Sequence, residues 1–170
     1  SYRDTIWMTK LYKNNGDGTF LEQNGFFSTG KCNRHVAWGD YNNDGFEDIY
    51  VTGFDMNRLE LCGEDAAREY LGMPAIAELP RLYKNNGDET FTDVTKAAKL
   101  DKVTYGMGLN YGDIDNDGWL DGFVTNDTAQ CIPFRNLGSG EMVPDTNLIH
   151  TADRPGNYAA IWTDYDNDGD

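Results

Sequence analysis

The chain has 170 residues and a formal net charge of −15 at pH 7, with 29 acidic and 14 basic side chains. This charge argues against binding to nucleic acid or directly to an anionic membrane, since both attract basic protein surfaces. No apolar run approaches the roughly 20 residues of a membrane-spanning helix, so insertion into a membrane is not expected. Twelve of the acidic residues lie in three short loops, where crowded carboxylates repel one another unless a cation lies among them.

The first predicted element is the end of a preceding repeat, residues 1–20. Within it, Asp4–Thr9 is similar to the strands that follow the acidic loops further along the chain. Residues 11–20 form the phrase LYKNNGDGTF, which returns as LYKNNGDETF at 82–91 and as a worn copy, PFRNLG, at 133–138. Asn, Gly and Asp supply the left-handed conformations of tight hairpins. We therefore interpret these phrases as turns between strands and not as binding sites.

A second phrase, rich in Asp, alternates with the first. It reads GDYNNDG at 39–45, GDIDNDG at 112–118 and TDYDNDG at 163–169. Side-chain oxygens recur at loop positions 1, 3, 5 and 9, and a glycine lies at position 6. Alternate residues of a tightly coiled loop can direct their oxygens at one centre, and the carbonyl at position 7 can add another. The predicted metal ligands are Asp40, Asn42, Asp44, Phe46 and Asp48; Asp113, Asp115, Asp117, Trp119 and Asp121; and Asp164, Asp166, Asp168 and Asp170.

The spacing favours calcium, which takes six to eight oxygens in a flexible arrangement. Magnesium fits less well because it demands near-octahedral geometry and keeps its waters, and soft metals do not prefer oxygen ligands. The loops are not EF-hands, because position 12 is Val51 or Val124 where that motif needs Glu. Asn42 in place of an acid should weaken the first site. The third phrase is expected to continue beyond Asp170, so the sequence is interpreted as a piece of a longer chain or assembly.

The repeated unit predicts four short strands. Strand-forming residues lead into each Asp-rich loop, β-branched and aromatic runs such as Asp48–Thr52 leave it, and the hairpin phrase supplies two more strands. Four strands in roughly 50 residues are typical of a propeller blade; a β-helix has shorter repeats without a hairpin in each. We therefore predict an all-β fold of four-stranded antiparallel blades, with one blade at 35–95, another at 105–150 and the start of a third at 158–170. An insertion at 54–80 is expected to hold a short helix at 64–71.

The three cysteines lack the spacing of a zinc site. Cys62 and Cys131 occupy comparable points of successive units, so a disulfide between neighbouring units and free thiols both stay open. The sequon at 126–128 predicts glycosylation only in a eukaryotic secretory pathway.

The combined phrases, above all FTDVT at 91–95 followed by GMGLNYGDIDNDGWLD at 106–121, resemble FG-GAP/VCBS repeat proteins. The pairing of LYKNNGDGTF with the Asp-rich loop is most similar to the branch related to cartilage acidic protein and the UnbV repeat proteins. This resemblance implies a propeller, commonly of seven blades and related to the head of integrin α subunits. It also implies calcium in the loops between the first and second strands of a blade. Family members are mostly extracellular, periplasmic or luminal, with roles in adhesion, matrix or scaffolding.

The function expected from these features is a structural and interaction module, in which calcium rigidifies blades that meet a protein or glycan partner. One alternative is a lectin, because exposed Trp, Tyr and Asn side chains suit sugar binding; against it, Trp38, Trp119 and Trp162 are expected to pack between blades. Another is an accessory domain of a secreted enzyme. No nucleophile elbow, HExxH or phosphate-binding glycine loop is present. This stretch is therefore expected to be non-catalytic.

Overall fold

The computed structural model describes residues 10–23, 33–53, 80–101, 106–126, 130–151 and 157–163. Within these ranges the regular elements are all strands, which confirms the predicted all-β fold class. The ten strands are β1 (Leu11–Asn14), β2 (Phe20–Gln23), β3 (Asn33–Gly39), β4 (Asp48–Gly53), β5 (Arg81–Asn85), β6 (Phe91–Asp93), β7 (Gly106–Gly112), β8 (Asp121–Asn126), β9 (Ile132–Asn136) and β10 (Met142–Pro144). The predicted strand at 4–9, the predicted helix at 64–71 and the third Asp-rich loop lie outside the described residues.

The strands form two four-stranded antiparallel sheets and one hairpin. The sheets have the orders β3-β4-β5-β6 and β7-β8-β9-β10, and the hairpin pairs β1 with β2. Each sheet follows the chain order, which is the meander of a propeller blade. In both blades the first strand pair ends with a glycine opposite an aspartate, Gly39 with Asp48 and Gly112 with Asp121. The two Asp-rich loops therefore lie at the same end of their blades.

The core lies on both faces of the first blade. Along β4 the side chains alternate, so that Ile49 and Val51 pack with Tyr83 on one face. Tyr50 points to the opposite face and belongs to a larger cluster that includes Leu109 and residues of β9 and β10. Ile49, Tyr50 and Val51 are all about 1% exposed, and burial of such side chains stabilises a fold by about 1.5–3 kcal/mol each. The second cluster joins the two blades into one hydrophobic core.

Aromatic side chains pack against glycines of the preceding unit. The ring of Tyr111 lies directly against Gly39 of the preceding blade. Trp162 in the same way lies against Gly112, and its ring meets that of Phe123 edge-to-face with centroids 5.6 Å apart. Trp162 thus packs on the second blade and is 37% exposed. At the equivalent position of the first blade, Trp38 is half exposed.

Cys131 is a buried, free thiol. Cys62, which the sequence left open as a disulfide partner, lies outside the described residues.

Candidate metal centre

The loop between β7 and β8 brings three carboxylates together. Oxygen atoms of Asp113, Asp115 and Asp117 all lie within 4.8 Å of one another. Side chains two residues apart can meet because the loop coils tightly: Asn116 and Gly118 have positive φ angles of 59° and 90°. Asparagine tolerates this left-handed conformation and glycine adopts it freely. Loop positions 1, 3 and 5 therefore converge.

Backbone N–H groups already hold two of these carboxylates. Asp113 accepts hydrogen bonds from the N–H groups of Asp117 at 3.0 Å and Gly118 at 2.8 Å. Asp117 accepts one from the N–H of Trp119 at 2.9 Å. An ionised carboxylate offers about four acceptor positions, so each keeps lone pairs for another partner. The loop is shaped by its own hydrogen bonds and still has oxygen atoms available to a cation.

Asp115 supplies the oxygen that fits a metal ion best. Its Oδ1 is shielded from solvent and has no hydrogen-bond donor among the described residues. Its Oδ2 contacts the guanidinium group of Arg135. A shielded, charged oxygen without a partner is costly, and a cation would remove that cost. Since every donor of the cluster is a carboxylate oxygen, the residues fit a hard divalent cation.

The loop between β3 and β4 has the same backbone hydrogen bonds and one carboxylate fewer. Asp40 accepts from the N–H groups of Asp44 at 3.0 Å and Gly45 at 2.8 Å, as Asp113 does in the second loop. Asn42 replaces the second acid, and its amide donates to Asp44 Oδ2 at 3.0 Å. Lys84 Nζ lies 2.9 Å from the same oxygen. The protein's own donors therefore balance more of the charge in this loop.

The acids at position 9 lie beneath the loops. Asp48 and Asp121 are both fully buried, and each accepts one N–H from its own loop and one from the third strand of its blade. The donors are Tyr41 at 3.3 Å and Asn85 at 2.7 Å for Asp48, and Ile114 at 3.0 Å and Asn136 at 2.8 Å for Asp121. Burial raises the pKa of Asp48 to about 6 and raises that of Asp121. Both acids tie loop to strand, and their role as metal ligands stays a prediction.

The aromatic residues at position 7 pack on the hairpin of their own blade. A Cβ atom on Gly87 would lie 2.6 Å from the Phe46 ring, and one on Gly138 would lie 2.8 Å from the Trp119 ring. Only glycine permits this close approach. Trp119 thus packs within its own blade and fixes the backbone whose carbonyl is a predicted ligand.

The hairpin phrase also contributes residues to this region, although its pattern predicted only a turn. The amide of Asn85 donates to Glu47 O at 3.1 Å, and that of Asn136 donates to Leu120 O at 3.0 Å. Both carbonyls belong to position 8 of an Asp-rich loop. The recurrence of Asn at the same place in each hairpin phrase was the available signal, although turn formation alone explained it. The third predicted ligand set, Asp164, Asp166, Asp168 and Asp170, lies outside the described residues.

The sequence pattern of the FG-GAP-like repeat matches residues 3–51 and 75–124. Each match contains one hairpin phrase and one Asp-rich loop, and together they cover more than half of the chain. The chain belongs to the FG-GAP-like repeat family. The interval between the matches, 52–74, overlaps most of the predicted insertion at 54–80. No curated protein sequence matches the chain.

Among the residues that the structure describes, none forms a helix with the length and apolar character needed to cross a bilayer.

Proposed function

We propose that this chain is a calcium-binding propeller module whose blades, rigidified by the ions, mediate contacts with a protein or glycan partner. The observation that carries the proposal is the Asp113–Asp115–Asp117 cluster, in which the shielded Oδ1 of Asp115 has no hydrogen-bond donor within the described part of the chain. Its oxygen-only donors, together with the carbonyl available at position 7, suit calcium better than magnesium. The first loop is the weaker site in this proposal because Asn42 supplies no charge.

Calcium would act by linkage, since an ion that binds only the folded loop stabilises it by mass action. The loops are well placed for this effect. Each connects the first two strands of its blade, and Asp48 or Asp121 ties it to the third strand. In addition, the Asn43 side chain donates to Gly118 O at 2.8 Å, which links one loop to the next. Tightening one loop therefore restrains both blades.

The family and the acidic composition support an extracellular, periplasmic or luminal location. Calcium sites of extracellular modules have dissociation constants of about 10⁻⁴–10⁻³ M, which match the calcium concentration outside cells. The branch related to cartilage acidic protein and the UnbV repeat proteins is supported by the pairing of the two phrases alone. We further propose that the module is non-catalytic, because its acids repeat as ligands do and are already engaged in shaping the loops.

Isothermal calorimetry with calcium tests this function. The wild-type chain should bind calcium at millimolar concentration or below. Asp117→Ala should remove the tighter site, and Asp115→Asn should weaken it toward the affinity of the first loop, which has Asn42 at the same position. Asp44→Ala should remove only the weaker site. Asp101→Asn, which changes an acid outside the loops, is the matched control and should bind as the wild type does. Absence of any calcium binding by the wild-type chain at several millimolar would refute the proposal.

A second candidate function is sugar binding, favoured by a cleft between the β1–β2 hairpin and the first blade. The cleft has a volume of about 340 Å³, and aromatic side chains dominate its lining: Tyr12, Trp38, Phe46 and Phe91. Trp38 and Tyr12 are each about half exposed, and amphipathic rings of this kind can stack on the apolar face of a sugar. A glycan array in the presence of calcium, with Trp38→Ala as the comparison, separates this role from protein binding. Binding that is independent of Trp38 would exclude the cleft.

A further inference from the structure

A basic side chain of the third strand reaches into each Asp-rich loop. Lys84 Nζ lies 2.9 Å from Oδ2 of Asp44, the acid at position 5 of the first loop. In the second blade, the guanidinium group of Arg135 contacts Oδ2 of Asp115, the acid at position 3. Both bases are only about one-third exposed, so these contacts lie partly within the protein. Each base contacts a carboxylate oxygen of a predicted metal ligand.

The two bases occupy the same place in the repeat. Each follows the aromatic residue of the third strand and precedes the asparagine that bonds to position 8 of the loop. The hairpin β1–β2 carries Lys13 at this place, and Lys13 contacts Glu89 of the neighbouring hairpin. A base here is thus common to all three units. Where the Asp-rich loop of the same blade is described, the base binds that loop.

The two contacts differ in how firmly the base is held. Arg135 also donates through Nε to Asp145 Oδ2 at 3.0 Å, so a second carboxylate anchors its guanidinium group. The described ion pair of Lys84 is with Asp44 alone, and its flexible stem can move the ammonium group away. The Lys84 contact is therefore the more easily displaced of the two. Asp115 Oδ1, on the other hand, meets no donor in the ranges that the structure describes, while Arg135 contacts Oδ2.

We propose that Lys84 and Arg135 are resident counter-cations that hold the acidic loops in shape without metal and compete with calcium for the loop oxygens. This inference rests on the proposed function, because it concerns the affinity of the same sites. In the metal-free protein each base relieves repulsion among the carboxylates. When calcium binds, the base either repels the ion or must move away. The calcium affinity of each site is therefore lower than its carboxylates alone would give.

Calorimetric calcium titration of charge-removing and charge-conserving variants tests this. Lys84→Met and Arg135→Met should bind calcium about three- to tenfold more tightly at the first and second loop respectively, as expected from one partly exposed positive charge. Lys84→Arg keeps the charge and should bind as the wild type does. Lys99→Met is the matched control, because Lys99 pairs with Glu141, outside the loops. In the presence of a chelator, the two loop variants should also melt about 1–3 °C below the wild type.

The outcomes separate this inference from the proposed function. If the wild type binds calcium and both methionine variants bind it equally or more weakly, the counter-cation role is refuted and the calcium sites stand. An equal increase in affinity for Lys84→Arg and Lys84→Met would also refute it, because charge would not be the cause. If the wild type binds no calcium, both proposals fail. A gain of affinity confined to the methionine variants, which shrinks at high salt, supports the inference.

Discussion

Replacing Asn136 with alanine should lower the free energy of unfolding more than the same change at its counterpart in the first blade, Asn85. Its amide donates to Leu120 O at 3.0 Å and to Tyr41 O of the preceding blade at 2.7 Å, and its Oδ1 accepts the N–H of Gly138 at 3.0 Å. The side chain is 1% exposed, so water does not replace these partners. Its counterpart Asn85 makes the equivalent bonds to Glu47 and Gly87 but has no described bond to another blade.

The comparison of Asn136→Ala with Asn85→Ala therefore isolates the contact between blades. A typical hydrogen bond contributes about 0.5–1.5 kcal/mol, and a buried group left without a partner costs about 1–3 kcal/mol. Three lost bonds at a buried site predict a loss of about 3–4 kcal/mol for Asn136→Ala. Two lost bonds at a more exposed site predict about 1–2 kcal/mol for Asn85→Ala.

Urea unfolding in the presence of a chelator measures this difference without interference from metal binding. With an m-value of about 2 kcal/mol per molar, the two midpoints should differ by roughly 1 M. Asn136→Asp, which keeps the acceptor but removes the amide donor, should fall near Asn136→Ala. Equal losses for the two alanine variants would refute the reasoning, because the bond to Tyr41 would then contribute nothing.

Two further predictions concern the hairpin glycines and the buried acids. Gly138→Ala should cost about 2–3 kcal/mol, because its Cβ would meet the Trp119 ring and its φ is +68°. Gly16→Ala, with φ of +79° and nothing within 4 Å of the added Cβ, should cost only about 1 kcal/mol. Equal losses of unfolding free energy for the two variants in urea would contradict the role of the Trp119 contact. In metal-free protein, Asp48 should contribute stability that is present below its unfolded pKa of about 3.9 and is lost as pH rises through about 6. The melting temperature of Asp48→Asn relative to wild type should therefore rise between pH 4 and 7, and a constant difference would contradict the raised pKa.

The sequence was sufficient to predict the blades because the same local signals recur in each copy. Hairpin turns at phrases that contain Asn and Gly, strands rich in β-branched and aromatic residues and a coiled Asp-rich loop are all decided within about ten residues. The convergence of Asp113, Asp115 and Asp117 is local in the same sense, since it depends on the coil of a single loop. Repetition then shows that these segments belong to one unit.

Contacts between units could not be predicted in this way. The bond from Asn136 to Tyr41 joins residues that are far apart in sequence, and nothing in either local pattern indicates it. Burial of Asp48 and Asp121 depends equally on how the third strand packs beneath the loop. The regular spacing of the acids predicts the same ligand role for every acid of a loop. In the structure, those at position 9 are partly engaged by backbone N–H groups of another strand.

The acids of one loop have different roles: some shape the loop, and others keep oxygen atoms that a metal ion could bind. The aspartates at positions 1 and 9 accept hydrogen bonds from backbone N–H groups, which shape the loop and join it to its blade. The acids at positions 3 and 5 have fewer backbone partners, and the bases Lys84 and Arg135 contact these positions. Loop two has a carboxylate oxygen on Asp115 that meets no donor among the described residues, whereas loop one has an amide at the same position. We therefore expect this single difference, Asp in one loop and Asn in the other at position 3, to give the two proposed sites different metal affinities.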